Sequence, residues 1–295
     1  MTHVDAEIAS QPECWNRAAE SALTQRAVLP RTGERVAVIG CGTSWFMAQA
    51  YASLRESAGL GETDAFAASE FPLGRSRAYN RVIALTRSGT TTEVLELLGA
   101  LSGSVPTSAI TADPNTPVMS AADQVAVLDF ADEQSVVQTR FATSAFTFLR
   151  AGLGLHSRAV EADARTALAQ PLPEGLTDCG QFSFLGRGWT VGLANEAALK
   201  MREAALAWTE SYPAMEYRHG PISIAAPGTA TWMFGEAPTG LAEQVGATGA
   251  RWIGGRLDPL AELVRVHRLA VALAGARGLN PDEPRNLTRS VILAG

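Results

Sequence analysis

ERVAVIGCGTSWFMAQAYASLRESAG, residues 34–59, holds the transition on which the fold turns. ERVAVIG (34–40) is a short, β-branched apolar run ending in glycine, the pattern of a buried strand. Cys41, Gly42, Thr43 and Ser44 then lead into a stretch whose small and apolar residues recur at helical spacing as far as Gly59. The same grammar continues outward. DAFAAS (64–69), RVIALT (81–86), PTSAITA (106–112) and QVAVLDF (124–130) read as further strands, RSGTTTEVLELLGAL as a turn entering a helix, and 142–168 as an Ala- and Leu-rich helical stretch. QPLPEGL (170–176), with two prolines and a glycine, reads as a linker. Beyond it, QFSFLGRG (181–188), TATWMFG (229–235) and ARWIGG (250–255) are strand patterns, whereas 191–210, 238–248 and LDPLAELVRVHRLAVALAGARG (257–278) are helical ones. Alternation of strand and helix on both sides of a linker predicts an α/β protein with two doubly wound, parallel-sheet units. The expected divisions are a helical lead-in (1–33), a first unit (34–168), a second unit (178–270), and a helix end with an irregular tail (271–295). The second unit looks one strand short.

The totals bound the function. The chain has 295 residues, 46% of them hydrophobic, enough for one large or two ordinary domains. A net charge of -6 argues against a nucleic-acid groove, which needs clustered Lys and Arg. Three scattered cysteines suggest neither a disulfide framework nor a zinc cluster. The acidic N-terminus lacks a signal-peptide pattern, and no apolar run is long enough to span a membrane, so a cytoplasmic location is expected.

Three stretches could carry chemistry. GCGTS (40–44) places free N–H groups and the positive end of a helix at one point, which suits a phosphate or simply a capped βα turn. The third glycine of a dinucleotide fingerprint is replaced by Trp45. TRSGTTTE (86–93) also ends a strand and opens a helix, with hydroxyls at Thr86, Ser88, Thr90, Thr91 and Thr92; one N-cap needs only one of these. Two such turns on one sheet fit a phosphate monoester, with Arg87 as a charge partner. In the helical pattern 191–210, Ala194, Ala197, Ala198, Met201, Ala205 and Trp208 form an apolar face, and Glu196, Lys200, Glu203 and Glu210 fall opposite. That second face reads either as a solvated, ion-paired surface or as an acid–base site with His219, which is held before the Gly220-Pro221 turn.

In order and spacing, CGTS (41–44), ASEF (68–71), SGTT (88–91), AFT (145–147), EAALKMRE (196–203), EYRHGP (216–221) and PRNL (284–287) resemble the sugar isomerase (SIS) family. Specifically, they resemble the two-domain arrangement of the isomerase half of glucosamine-6-phosphate synthase and its relatives, while SVVQTRFATS (135–144) is more like the galactosamine- or tagatose-type phosphosugar isomerases and deaminases. The resemblance implies two flavodoxin-like, three-layer units, a sugar-phosphate substrate and no metal or organic cofactor. It implies that Thr43, Ser44, Thr86, Ser88 and Thr91 hold the phosphate, with main-chain help near Cys41 and Gly42. Glu203 would be the base that moves the C1/C2 proton, with Lys200 beside it. His219 would assist ring opening from the neighbouring subunit of a homodimer. Arg87 stands where the synthase has Gln, and Arg289 where it has the tail lysine that forms a Schiff base. A guanidinium stays protonated and is a poor imine-forming nucleophile, so amination by that route is not expected; Arg289 is instead a candidate to hold an anionic or hydroxylated group of the substrate. No glutaminase domain is expected either, since the resemblance starts near the beginning of the chain. The reading is a phosphosugar isomerase or deaminase-isomerase; the alternative is a sugar-phosphate sensor without turnover.

Overall fold

The computed structural model describes residues 2–293. In chain order the elements are α1 (His3–Ala9), α2 (Gln11–Thr24), β1 (Val36–Gly40), α3 (Thr43–Ser57), β2 (Thr63–Ala67), β3 (Arg81–Leu85), α4 (Thr92–Leu101), β4 (Thr107–Thr111), α5 (Val118–Ala121), β5 (Gln124–Val127), α6 (Arg140–Gly152) and α7 (Ala159–Ala169). They continue with β6 (Gln181–Gly186), α8 (Thr190–Ala205), β7 (Trp208–Pro213), β8 (Thr229–Met233), α9 (Leu241–Ala247), β9 (Arg251–Gly254) and α10 (Pro259–Ala276). The chain divides into two compact units, one around each sheet. The first-sheet unit comprises Glu13–Glu133, Gln138–Ser157 and the chain from Thr288 on; the second-sheet unit comprises the chain up to Pro12, Gln134–Val137 and Arg158–Leu287. α7 thus groups with the second sheet, because it packs on α10, although the pattern-based span 34–168 counts it with the first.

The first sheet is wholly parallel in the order β2-β1-β3-β4-β5. Strands β1 and β4 are buried at every residue, as expected where helices cover both faces, and so they read as unbroken apolar runs rather than alternating ones. Ile39, Val82 and Ala84 pack with Val94, Leu98 and Leu101 of α4 in one core cluster. Burying a side chain such as Leu98 fully contributes about 1.5–3 kcal/mol. In this strand order the direction of winding reverses between β1 and β3, the position at which open α/β sheets bind ligands. Both hydroxyl-bearing turns follow those two strands.

The second sheet is also parallel, in the order β7-β6-β8-β9. Its unforeseen strand is β7, taken from the sequence that periodicity assigns to the end of the 191–210 helix. α8 stops at Ala205 because Leu206 adopts a left-handed conformation (φ 52). Its N–H donates to the Arg202 carbonyl at 3.0 Å, and the Ala207 N–H donates to that of Met201 at 3.2 Å, an αL-type ending. Glycine normally marks that position; a leucine hides it from the sequence. Glu210 and Trp208 therefore lie on an edge strand, not on the helix. The tail from Leu279 is irregular, as expected, yet pinned: within the second-sheet unit the Asp282 carboxylate accepts the His3 and Val4 N–H groups at 2.8 Å each, capping α1.

Candidate functional site

In the first-sheet unit, β1 runs into Cys41 and Gly42 (φ 53), and α3 begins at Thr43. A Cβ on Gly40 would lie 2.7 Å from the Ser44 carbonyl carbon, so only glycine lets the helix start this close to the strand end. Gly42 gives α3 no side-chain cap, and of its first N–H groups that of Ser44 donates to the Cys41 carbonyl at 3.1 Å. Thr43 and Ser44 are buried. Burial, then the charge of Glu93 on α4, pushes the Cys41 thiol up to about 11, so it stays protonated and offers no nucleophile.

The turn after β3 lies beside it. Thr86, Arg87 and Ser88 are buried, and Thr86 Oγ1 has no hydrogen-bond partner among the described residues. Such a buried, unsatisfied hydroxyl is expected where a ligand completes the bonding. Thr91 precedes α4 without capping it by its side chain. The hydroxyls of Ser88, Thr90 and Thr91 converge on Ser290 Oγ of the C-terminal tail, at 3.1, 3.0 and 3.3 Å.

Arg87 does not point its charge at these hydroxyls. Its guanidinium pairs with Glu133 at 3.4 Å, both side chains being inaccessible, and donates to the Arg289 carbonyl at 3.0 Å. Burial lowers the Arg87 pKa while Glu133 opposes the shift, and the group stays charged. Arg289 in turn donates to the Asp132 carboxylate and the Glu133 carbonyl.

In the second-sheet unit, the corresponding reversal between β6 and β8 carries no comparable cluster among the described residues. Thr190, at the start of α8, donates to the Phe234 carbonyl at 3.0 Å and accepts from the Arg187 N–H at 2.8 Å. Its hydroxyl is consumed in these backbone bonds. The polar face of α8 is different. Lys200 is 1% exposed, in contact with Glu203 and 3.6 Å from Glu196, itself 1% exposed. The reading of this face as solvated is corrected: α10 covers it, bringing His267 to Lys200. Glu203 is the half-open member. It lines a pocket of about 240 Å³ with Leu206, Leu279, Asn280, Glu283 and Arg285, placing the PRNL motif beside it. His219 sits exposed after a short 3-10 turn, its N–H donating to the Glu216 carbonyl at 2.9 Å. Among the described residues no hydrogen bond or ion pair joins it to Glu203. Glu210 accepts from the Tyr212 hydroxyl at 3.0 Å, a structural pairing on the edge strand.

The chain is 27% identical to the glutamine–fructose-6-phosphate aminotransferase (isomerizing) of Methanothermobacter thermautotrophicus over 307 residues, and 29% identical to that of Gloeobacter violaceus over 324 residues. Each match covers 88% of this chain and 52% of the relative, so the chain spans about half the length of these curated relatives. Among solved structures it superposes on glucosamine-6-phosphate deaminase of Thermotoga maritima (TM-score 0.79, 23% identity, 99% and 100% of the two chains). It also superposes on tagatose-6-phosphate ketose/aldose isomerase of Escherichia coli (TM-score 0.81, 18% identity, 100% and 96%). The fold is that of these phosphosugar isomerase and deaminase structures. No protein-family model matches the chain.

Within this fold, three residues escape sequence reasoning. Glu133 accepts the N–H groups of Thr139 and Arg140 at 2.6 and 2.8 Å as well as Arg87, and so anchors the start of α6. His267 is fully buried; its Nδ1 lies 3.2 Å from Gln11 Nε2, and burial, then Lys200, lowers its pKa from 6.5 to about 3. A lone histidine in the apolar run of α10 is the only signal it leaves. Ser290 leaves none, because its role depends on where the tail lies. Among the described residues no group of His, Cys, Asp and Glu could hold a metal ion, and no helix is long and apolar enough to cross a membrane.

Proposed function

We propose that the protein is a phosphosugar isomerase, or deaminase-isomerase, acting on an amino- or keto-hexose 6-phosphate. The observation that carries this is the gathering of Thr86, Ser88, Thr90 and Thr91 with the α3 and α4 N-termini at the β1/β3 reversal. Hydroxyls and N–H groups at two helix N-termini suit a phosphate monoester, although the Glu93 carboxylate also lies in the first turn of α4, near Cys41. The names of the similar proteins, which act on hexose 6-phosphates, point the same way.

In this reading Thr43 and Ser44 join the phosphate clamp with the main chain at Cys41 and Gly42, while Arg87 serves by fixing the turn. Glu203 removes the proton from C1 of a ketose or C2 of an aldose and returns it to the adjacent carbon, through an enediol. Lys200, fixed between Glu196 and Glu203, holds that carboxylate in place. His219, exposed on its turn, assists ring opening in the site of a second copy, making the active form a homodimer. Arg289 takes no part in imine chemistry.

Deuterium uptake from solvent at C1 of fructose 6-phosphate, and at C2 of glucosamine 6-phosphate and galactosamine 6-phosphate, tests the proton transfer. Uptake with one of them is expected; none with any would leave only a sugar-phosphate sensor, the reading that the engagement of Arg289 by Asp132 favours.

A further inference from the structure

Ser290 Oγ is coordinated as an anion's oxygen would be. A hydroxyl carries one proton and two lone pairs. Ser88 and Thr90 donate to it at 3.1 and 3.0 Å, and it pairs with Thr91 at 3.3 Å, so its capacity is filled. The next tail residue continues the pattern: the Thr92 N–H, in the first turn of α4, donates to the Val291 carbonyl at 3.1 Å. The Leu293 N–H then donates to Thr92 Oγ1 at 2.9 Å. A phosphate on this turn would draw on the same three hydroxyls and the same helix N-terminus. No second oxygen fits where three hydroxyl contacts already meet.

We propose that the segment Thr288–Leu293 is a built-in competitor for the phosphate site, so that the strap and a phosphate exclude each other. This rests on the phosphate-site reading above. The strap is latched at Arg289, whose side chain reaches Asp132 and the Glu133 carbonyl and whose own carbonyl accepts from Arg87. Beyond the latch little apolar burial holds it: Val291, Ile292 and Leu293 are 50%, 70% and 57% exposed. Apart from the ion-paired latch, the strap from Ser290 on is therefore retained by neutral hydrogen bonds. Bonds from the same donors to a charged phosphate are stronger, so the exchange favours the anion. The apparent affinity is reduced by the fraction of molecules whose strap is released.

The test is titration of inorganic phosphate into the full chain, read by calorimetry, for the wild type and for Ser290→Ala, Arg289→Ala and Ser88→Ala. The first two substitutions remove strap contacts and leave the turn intact; each is expected to tighten binding about three- to tenfold, the loss of one or two hydrogen bonds. Ser88→Ala is expected to weaken it. Hydrogen exchange at 290–293 should quicken when phosphate is added. If Ser290→Ala and Arg289→Ala bind unchanged, or Ser290→Ala binds more weakly, the strap is no competitor, and the second result would make Ser290 a phosphate ligand. If no variant binds phosphate, or Ser88→Ala binds as the wild type does, the phosphate-site reading itself fails and the strap proposal with it.

Discussion

Arg87 Nη2 donates to the main-chain carbonyl of Arg289 at 3.0 Å. These are the two positions at which the chain departs from the synthase pattern, a glutamine in one case and the imine-forming lysine in the other. The structure makes them one arrangement: a buried guanidinium, neutralised by Glu133, ties down the tail that carries the second.

Removing half of a buried ion pair leaves the other half uncompensated. Arg87→Gln should therefore lower the unfolding free energy by roughly 3 kcal/mol. Arg87→Gln with Glu133→Gln should recover part of that, with a coupling of about 1–3 kcal/mol in a urea double-mutant cycle. Strict additivity of the two changes would mean that the pair is not coupled.

Glu203→Gln keeps the shape of the side chain and removes its basicity. Isomerisation and deuterium uptake, at C1 of a ketose or C2 of an aldose, should drop by about 10²–10⁴-fold. Binding of inorganic phosphate should be unchanged. Exchange that persists at the wild-type rate would place the base elsewhere.

His267 makes the fold acid-sensitive. Its ring is held neutral down to about pH 3 in the folded chain, by burial first and Lys200 second, but takes a proton near pH 6.5 when unfolded. The unfolded state thus binds more protons between those values, so stability falls as pH drops from about 6.5 to 3 and is level above that window. Gln11 is its recorded hydrogen-bond partner. The slope approaches about 1.4 kcal/mol per pH unit. Between pH 6.5 and 4.5 the wild type should lose about 2 kcal/mol more than His267→Gln, read from urea midpoints. Equal losses would show that the ring is not held neutral.

Gly40→Ala would press a methyl group to 2.7 Å from Ser44 and 2.9 Å from the Trp45 nitrogen, which is backbone and yields little. The expected cost is about 1–3 kcal/mol of stability. Phosphate affinity should fall with it, because the start of α3 is displaced. Gly74→Ala, where nothing lies within 4 Å, is the control.

The sequence by itself determined which segments form strands that end in hydroxyl turns, because a buried parallel strand must be an apolar run and a βα turn must carry small or capping residues. β1, β3 and the turns at 41–44 and 86–91 are legible on those grounds. It did not disclose β7, since the residue ending α8 in the left-handed region is Leu206 rather than glycine. Helical spacing could group Glu196, Lys200 and Glu203, but not tell whether that face meets water or a neighbour; the packing of α10 decided it, turning a surface pattern into a buried charge cluster with His267. The destination of the tail was likewise beyond local signals. Irregular chain has no periodicity to read, and the bonds of Ser290 and Arg289 span about two hundred and one hundred and fifty-seven residues. Contacts that distant exist only once the sheet edge they attach to has formed.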